Sequence, residues 1–266
     1  PRYAEETHSL WFGAASTTAR THKYLSSAFL PLFLCVPRLF QNPKLVIRDA
    51  AMKKSHSSKQ WLRRHVSDPY VQRSKREGYR SRSAYKLTEI DERDKLLKPG
   101  QVVVDLGSAP GGWAQVLAKR LGGSGKVIAI DLLPMEPVSG VTFVQADFGS
   151  KSGLAAVETA LAGRKADVVL SDMAPNLTGI AVSDQARTME LAELARDFAL
   201  LHLQSEGALL VKIFQGSGYD EYLRSLRSEF RKVVVRKPDA SRDESAEQYF
   251  LARGLKKAGP SWAEGA

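Results

Sequence analysis

From residue 102 onward, short apolar runs alternate with longer stretches in which apolar residues recur every three or four positions. The runs at 102–106, 126–131, 141–145, 166–171, 208–213, 232–237 and 248–253 are rich in Val, Ile, Leu and Ala and have the length of buried strands. Segments 113–121, 154–161, 186–203 and 219–230 carry helical periodicity between them. The alternation predicts an α/β fold, a seven-stranded and mostly parallel sheet of Rossmann-like, doubly wound type with helices on both faces. Only the polar stretch PDASRDESAE separates the last two strands, which are therefore expected to pair antiparallel at the end of the sheet.

The turn after the first strand reads DLGSAPGGWAQ. Two glycines, Gly107 and Gly112, occupy the outer positions of a dinucleotide fingerprint, but the middle one is Ala109, and Pro110 removes an N–H that could face a phosphate. A pyrophosphate fits poorly there. The turn instead suits a nucleoside without phosphates at the carboxyl ends of the strands, and S-adenosylmethionine is such a ligand; a plain βα turn with no ligand is the alternative. Asp131 ends the second strand 24 residues after Gly107, where a carboxylate can accept hydrogen bonds from both ribose hydroxyls. Asp147 follows the third strand and could reach an adenine amino group, or cap a turn.

The chain has 266 residues, 43% of them hydrophobic, enough for one main domain, and a formal net charge of +10 that points to a polyanionic partner. Between Met52 and Lys86, eleven Lys or Arg residues face only two acids, Asp68 and Glu77, and Trp61, Tyr70, Tyr79 and Tyr85 are interleaved with them. Basic groups bind phosphates, and aromatic faces stack on bases or on the domain itself. With no long apolar helical face beside them, RNA is favoured over a membrane surface. Arg63, Arg64, Arg73, Lys75, Arg76, Arg80 and Arg82 are the candidate RNA contacts of an arm at 52–85, ahead of a domain at 86–254. Residues 1–51 contain an apolar run broken by Pro31 and Pro37, too interrupted to span a bilayer, and read as a leader or misplaced start. Residues 255–266 read as a disordered tail. The single cysteine, Cys35, excludes an internal disulfide, and no Cys/His spacing suits zinc; a metal-free protein of a reducing, cytoplasmic compartment is expected, acting as a monomer.

Two charges stand beside apolar strands. Lys212 interrupts ALLVKIF, and Asp172 closes DVVLSD before Met-Ala-Pro. An unpaired ammonium in such a strand is disfavoured unless it reaches a crevice, a partner or water. Lys86 and Glu247 are unremarkable by themselves.

The motifs SRSAYKL, DLGSAPGGWAQ, IDLLPMEPV, QADF, LSDMAPNLTG, LVKIFQG and SAEQYFLARG, in that order, make the chain resemble the FtsJ/RrmJ (RlmE-type) ribosomal RNA methyltransferases. The resemblance implies methyl transfer from S-adenosylmethionine to the 2′-hydroxyl of a uridine ribose in large-subunit (23S) ribosomal RNA, on the assembled subunit. A transfer RNA substrate is the nearest rival within the family. The family's Lys-Asp-Lys-Glu catalytic set falls on Lys86, Asp172, Lys212 and Glu247. Its cofactor site falls on Gly111, Trp113, Asp131, Asp147 and Asp172, beside Gly107 of the glycine turn. Lys212 is the proposed proton acceptor, provided that the charge of Lys86 and partial desolvation disfavour its own protonation; coupled groups titrate together, so the sequence leaves Lys86 open as the base. A nicotinamide-dependent dehydrogenase, opposed by Ala109 and Pro110, and a noncatalytic RNA-binding assembly factor, opposed by the intact catalytic set, are the readings from other classes.

Overall fold

The structure, a computed structural model, describes residues 66–256 except Leu177 and Asp243. The expected leader, Trp61, Arg63, Arg64 and residues 257–266 lie outside the described residues.

Two helices precede the first strand, α1 (Pro69–Glu77) and α2 (Ser83–Asp94). The first is set by DPYVQRSKREG: Asp68 caps the N–H groups of Tyr70 and Val71 at 3.0 and 3.3 Å, Pro69 opens the helix, and Gly78 ends it in the left-handed conformation at φ 76°. Then follow β1 (Val102–Leu106), α3 (Gly112–Leu121), β2 (Lys126–Asp131), β3 (Val141–Gln145), α4 (Lys151–Leu161) and β4 (Ala166–Ser171). The chain continues through α5 (Ala181–His202), β5 (Leu203–Phe214), α6 (Tyr219–Glu229), β6 (Phe230–Arg236) and β7 (Glu247–Leu255).

The sheet has the order β3-β2-β1-β4-β5-β7-β6. Its first five strands are parallel, and β7 is antiparallel to both β5 and β6. The expected antiparallel pairing is present, but β7 enters between β5 and β6, so that β6 forms the edge. β5 begins five residues ahead of the expected strand because Gln204, Ser205 and Glu206 are exposed polar residues that give no apolar signal. α5 likewise begins at Ala181, ahead of its apolar stripe; the Asp184 carboxylate accepts the Thr178 and Gly179 N–H groups and holds its entry.

Alternation along the strands sorts the core into two layers. Val104, Leu106, Val169, Leu209, Val211 and Phe250 pack against α4, α5 and α6 through Val157, Leu161, Phe198 and Leu226. Val103, Val168, Leu170, Leu210 and Leu251 pack against α2 and α3 through Leu87, Ile90, Trp113 and Leu117. The expected boundary between arm and domain, at residues 85 and 86, thus falls inside α2, whose Ala84 and Leu87 are fully buried. At the other end Leu255 still pairs with Phe230, and the Lys256 N–H donates to the Glu229 carbonyl.

Candidate active site

On the face covered by α2 and α3, the sheet is apolar until it nears the carboxyl ends of its parallel strands. One register row carries Asp105, Leu170, Leu210 and Leu251. A step further along, Leu170 leads to Asp172 and Leu210 to Lys212, and Lys212 lies directly opposite Tyr249. Two residues before Tyr249, and so on the same side of β7, is Glu247. Apolar packing therefore ends in a polar row.

The structure brings Lys86, Asp172, Lys212 and Glu247 together as two ion pairs. The Lys212 ammonium lies 3.1 Å from Asp172 Oδ1 and donates to the Asp172 carbonyl. From α2, Lys86 Nζ reaches Glu247 Oε1 at 2.5 Å, an oxygen that also accepts from the Ser241 hydroxyl at 2.9 Å. Tyr249 links the pairs: its hydroxyl donates to Asp172 Oδ1 at 2.9 Å, and Lys86 Nζ lies 5.9 Å from its ring centroid. Burial, with Asp172 and Glu247 beside it, raises the Tyr249 hydroxyl well above the usual phenol range. The tyrosine thus keeps its proton and is a fixed hydrogen-bond donor to the carboxylate. Beneath its ring lies Trp113, at 5.9 Å between centroids, with its indole N–H donating to the Ser83 carbonyl at 2.8 Å.

Asp172 also lines a cleft of about 530 Å³ over the ends of β1, β2, β3 and β4. Gly107, Asp131 and Asp147 line it too; Gly111 and Trp113 are not among its lining residues. Asp131 is held by two main-chain donors, with Oδ2 accepting from Ala109 and Oδ1 from Leu133, each at 2.8 Å. Asp147 Oδ1 accepts from the Gly149 N–H at 2.9 Å. Gly107 is glycine for a visible reason: at φ 80°, a Cβ would lie 2.9 Å from the Met173 main chain. Exposed Leu132 and Leu133 form one wall, and Arg187, Glu190 and Leu191 of α5 another. Below the cleft, Asp105 is fully buried, and neither of its carboxyl oxygens has a hydrogen-bond partner among the described residues. Burial, followed by the neighbouring Asp172 and Asp131, pushes its carboxyl up to about 8, so it is largely neutral at pH 7.

The described part of the basic arm has mixed roles. Arg82 is paired with Asp68 and donates to the Ala240 carbonyl. Arg80 donates to main-chain carbonyls of Pro110, Glu136 and Pro137. Arg73 pairs with Glu77 at 2.7 Å and lies 4.5 Å over the Tyr85 ring, which also meets Tyr70 and Tyr79. Lys75 and Arg76 are exposed on α1 and form no ion pair among the described residues. The tyrosines thus stack on one another and on arginine.

Sequence reasoning missed Tyr249, Asp105 and the α5 wall of the cleft. A signal for Tyr249 was present, since it stands two positions from Glu247 in a strand; its partner strand was not evident. Asp105 was hidden in plain view, a carboxylate inside the apolar run VVVDL.

Residues 79–255 match the FtsJ-like methyltransferase family. A ribosomal RNA large subunit methyltransferase E of Dechloromonas aromatica is 54% identical over 205 residues, covering 77% of this chain and 100% of the relative. Its counterpart in Marinobacter nauticus is 51% identical over 207 residues, with 78% and 100% covered. Among solved structures, a ribosomal RNA methyltransferase of Plasmodium falciparum superposes with a TM-score of 0.61 at 29% identity, over 66% of this chain and 98% of that one. With a Rossmann-like sheet, an acid-lined cleft and an Asp172 shared with a Lys-Asp-Lys-Glu cluster, the chain belongs to the FtsJ-like methyltransferase family.

Proposed function

We propose that the protein transfers a methyl group from S-adenosylmethionine to the 2′-hydroxyl of a uridine ribose in 23S ribosomal RNA, in the cytoplasm, as a monomer acting on the assembled large subunit. The observation that carries this reading is Asp172, which lines the cleft and holds Lys212 within one contact shell.

The cleft residues suit the cofactor. Asp131, oriented by two N–H groups, keeps lone pairs for ribose hydroxyls, and Asp147 stands where an adenine amino group can be met. Bound there, S-adenosylmethionine supplies a methyl group already activated by its sulfonium. The chain's own residues then have two tasks, to align the ribose oxygen with the methyl group and to take its proton. Lys212 is the proton acceptor in this reading, with Asp172 fixing its direction. Lys86 and Glu247 hold the ribose side of the site, and Tyr249 keeps Asp172 from rotating away. Exposed Lys75 and Arg76, with Arg63 and Arg64, contact the RNA phosphates. Names of the curated relatives support ribosomal RNA of the large subunit as the substrate class.

The test is methyl incorporation from labelled S-adenosylmethionine into large subunits and, separately, into transfer RNA, both isolated from cells lacking the gene, followed by mapping of the modified nucleotide. A single ribose-methylated uridine is expected. Label in transfer RNA alone would move the activity to the rival substrate, and no label in any RNA would leave a binding protein.

A further inference from the structure

The sequence places Arg80 among the phosphate contacts of a basic arm; the structure gives its guanidinium other partners. Nη1 donates to the Glu136 carbonyl at 2.5 Å and to Pro110 at 3.4 Å, while Nη2 donates to Pro137 at 2.9 Å. Its main-chain N–H is fixed in turn by Gln115 Oε1 at 2.9 Å, and the Gln115 amide reaches back to the Gly78 carbonyl. Among the described residues, Arg80 meets no carboxylate.

Its partners belong to the two loops that frame the cofactor cleft. Pro110 lies in the turn that runs from Gly107 into α3. Glu136 and Pro137 lie in the β2–β3 loop, which starts from Asp131, Leu132 and Leu133 of the cleft wall. The side chain lies flat over Gly111, where a Cβ would come 2.8 Å from Arg80 Nη1 and 2.9 Å from Met135 Sδ, at a φ of 107°. Gly111 thus makes room for an arginine as well as for the turn. One planar fork therefore ties the far part of the β2–β3 loop to a turn that the Ala109 N–H joins only to Asp131 at the loop's start, an arrangement that a single ammonium cannot reproduce.

We propose that Arg80 is a positioning residue of the cofactor cleft: it clasps the 108–112 turn to the β2–β3 loop and so presets the wall that carries Asp131, instead of serving as an RNA phosphate contact. Presetting both loops before the ligand arrives lowers the ordering cost of binding. The inference rests on the cofactor proposed above.

Calorimetric titration of S-adenosylmethionine into the full chain, and RNA affinity measured against salt with purified large-subunit ribosomal RNA, test it together. In Arg80→Ala the cofactor Kd should rise tenfold or more, while the slope of log affinity against log salt stays that of the parent. Arg80→Lys, which keeps the charge and loses the fork, should recover only a small part of the cofactor affinity. Gly111→Ala should displace the clasp and weaken binding similarly, and in the double variant with Arg80→Ala the two losses should fail to add. An unchanged cofactor Kd with a salt slope reduced by about 0.7–0.9 would make Arg80 a phosphate contact and overturn the proposal. So would a lower melting temperature with an unchanged Kd, which is all a purely structural role would give. A parent protein that fails to bind S-adenosylmethionine would overturn the cofactor reading itself, a separate result.

Discussion

The acid-lined cleft and the four-residue cluster share Asp172, yet they are held together differently. In the cleft, main-chain N–H groups fix the acids, and the donor is two residues away for both Leu133 on Asp131 and Gly149 on Asp147. In the cluster, side chain holds side chain across 161 residues from Lys86 to Glu247 and 77 from Tyr249 to Asp172. Local main-chain support means that a cleft acid can be removed without releasing its neighbours. Mutual support means that each loss in the cluster frees a charge elsewhere, because a buried ion pair broken on one side leaves the other uncompensated.

The largest expected effect breaks the comparison at Lys212. Lys212→Ala should lower the single-turnover rate by roughly 10²–10⁴-fold, the usual range for a lost general base, with cofactor and RNA affinities near those of the parent. A parental rate would reduce Lys212 to a strand residue and leave the proton to Lys86 or water. Next comes Asp131→Ala, which should weaken S-adenosylmethionine binding by about 1.5–3 kcal/mol while the cluster stays intact, as charge-assisted hydrogen bonds of this kind require. Calorimetry giving an unchanged affinity would remove the carboxylate from the ribose site.

Asp105 sharpens the comparison through pH. Its carboxyl, raised to about 8 in the native state from an ordinary 3.8, keeps a proton that the unfolded chain releases near pH 4. Native stability linked to this group is full below pH 4 and declines as pH rises through 8, since the folded state binds more protons across that window. Urea midpoints between pH 5 and 8.5 should show the decline in the parent, and Asp105→Asn should flatten it; an equal decline in both proteins would assign it to other groups. The smallest effect on function is expected of Tyr249→Phe, where losing one hydrogen bond to a carboxylate should cost about 1.5–3 kcal/mol of stability in urea unfolding. Turnover should fall only a few-fold, since Lys212 still contacts Asp172.

What the sequence disclosed follows the same division. The strands at 102–106, 126–131, 141–145 and 166–171 have the expected bounds because each is an apolar run cut off by a turn. Asp131 and Asp147 were legible as cleft acids because a strand end and a following turn locate them within a few residues. Glu247 was not, since nothing local distinguishes it from a solvated acid; only the resemblance selected it, and its value depends on β7 lying beside β5. Arg80 shows the opposite limit, since a charge count points to an external partner and cannot show the three main-chain carbonyls that its guanidinium meets in the fold.

The insertion of β7 between β5 and β6 has a consequence for the order in which the protein becomes competent during synthesis. A ribosome makes the cleft first, with Asp131, Asp147 and Asp172 and then the α5 wall all translated before β5. Glu247 and Tyr249 are translated last, in the strand that must slot between two already made. An unfinished chain therefore carries the residues that line the cleft and lacks Glu247 and Tyr249 of the polar cluster, so under the proposed reading methyl transfer awaits the final strand.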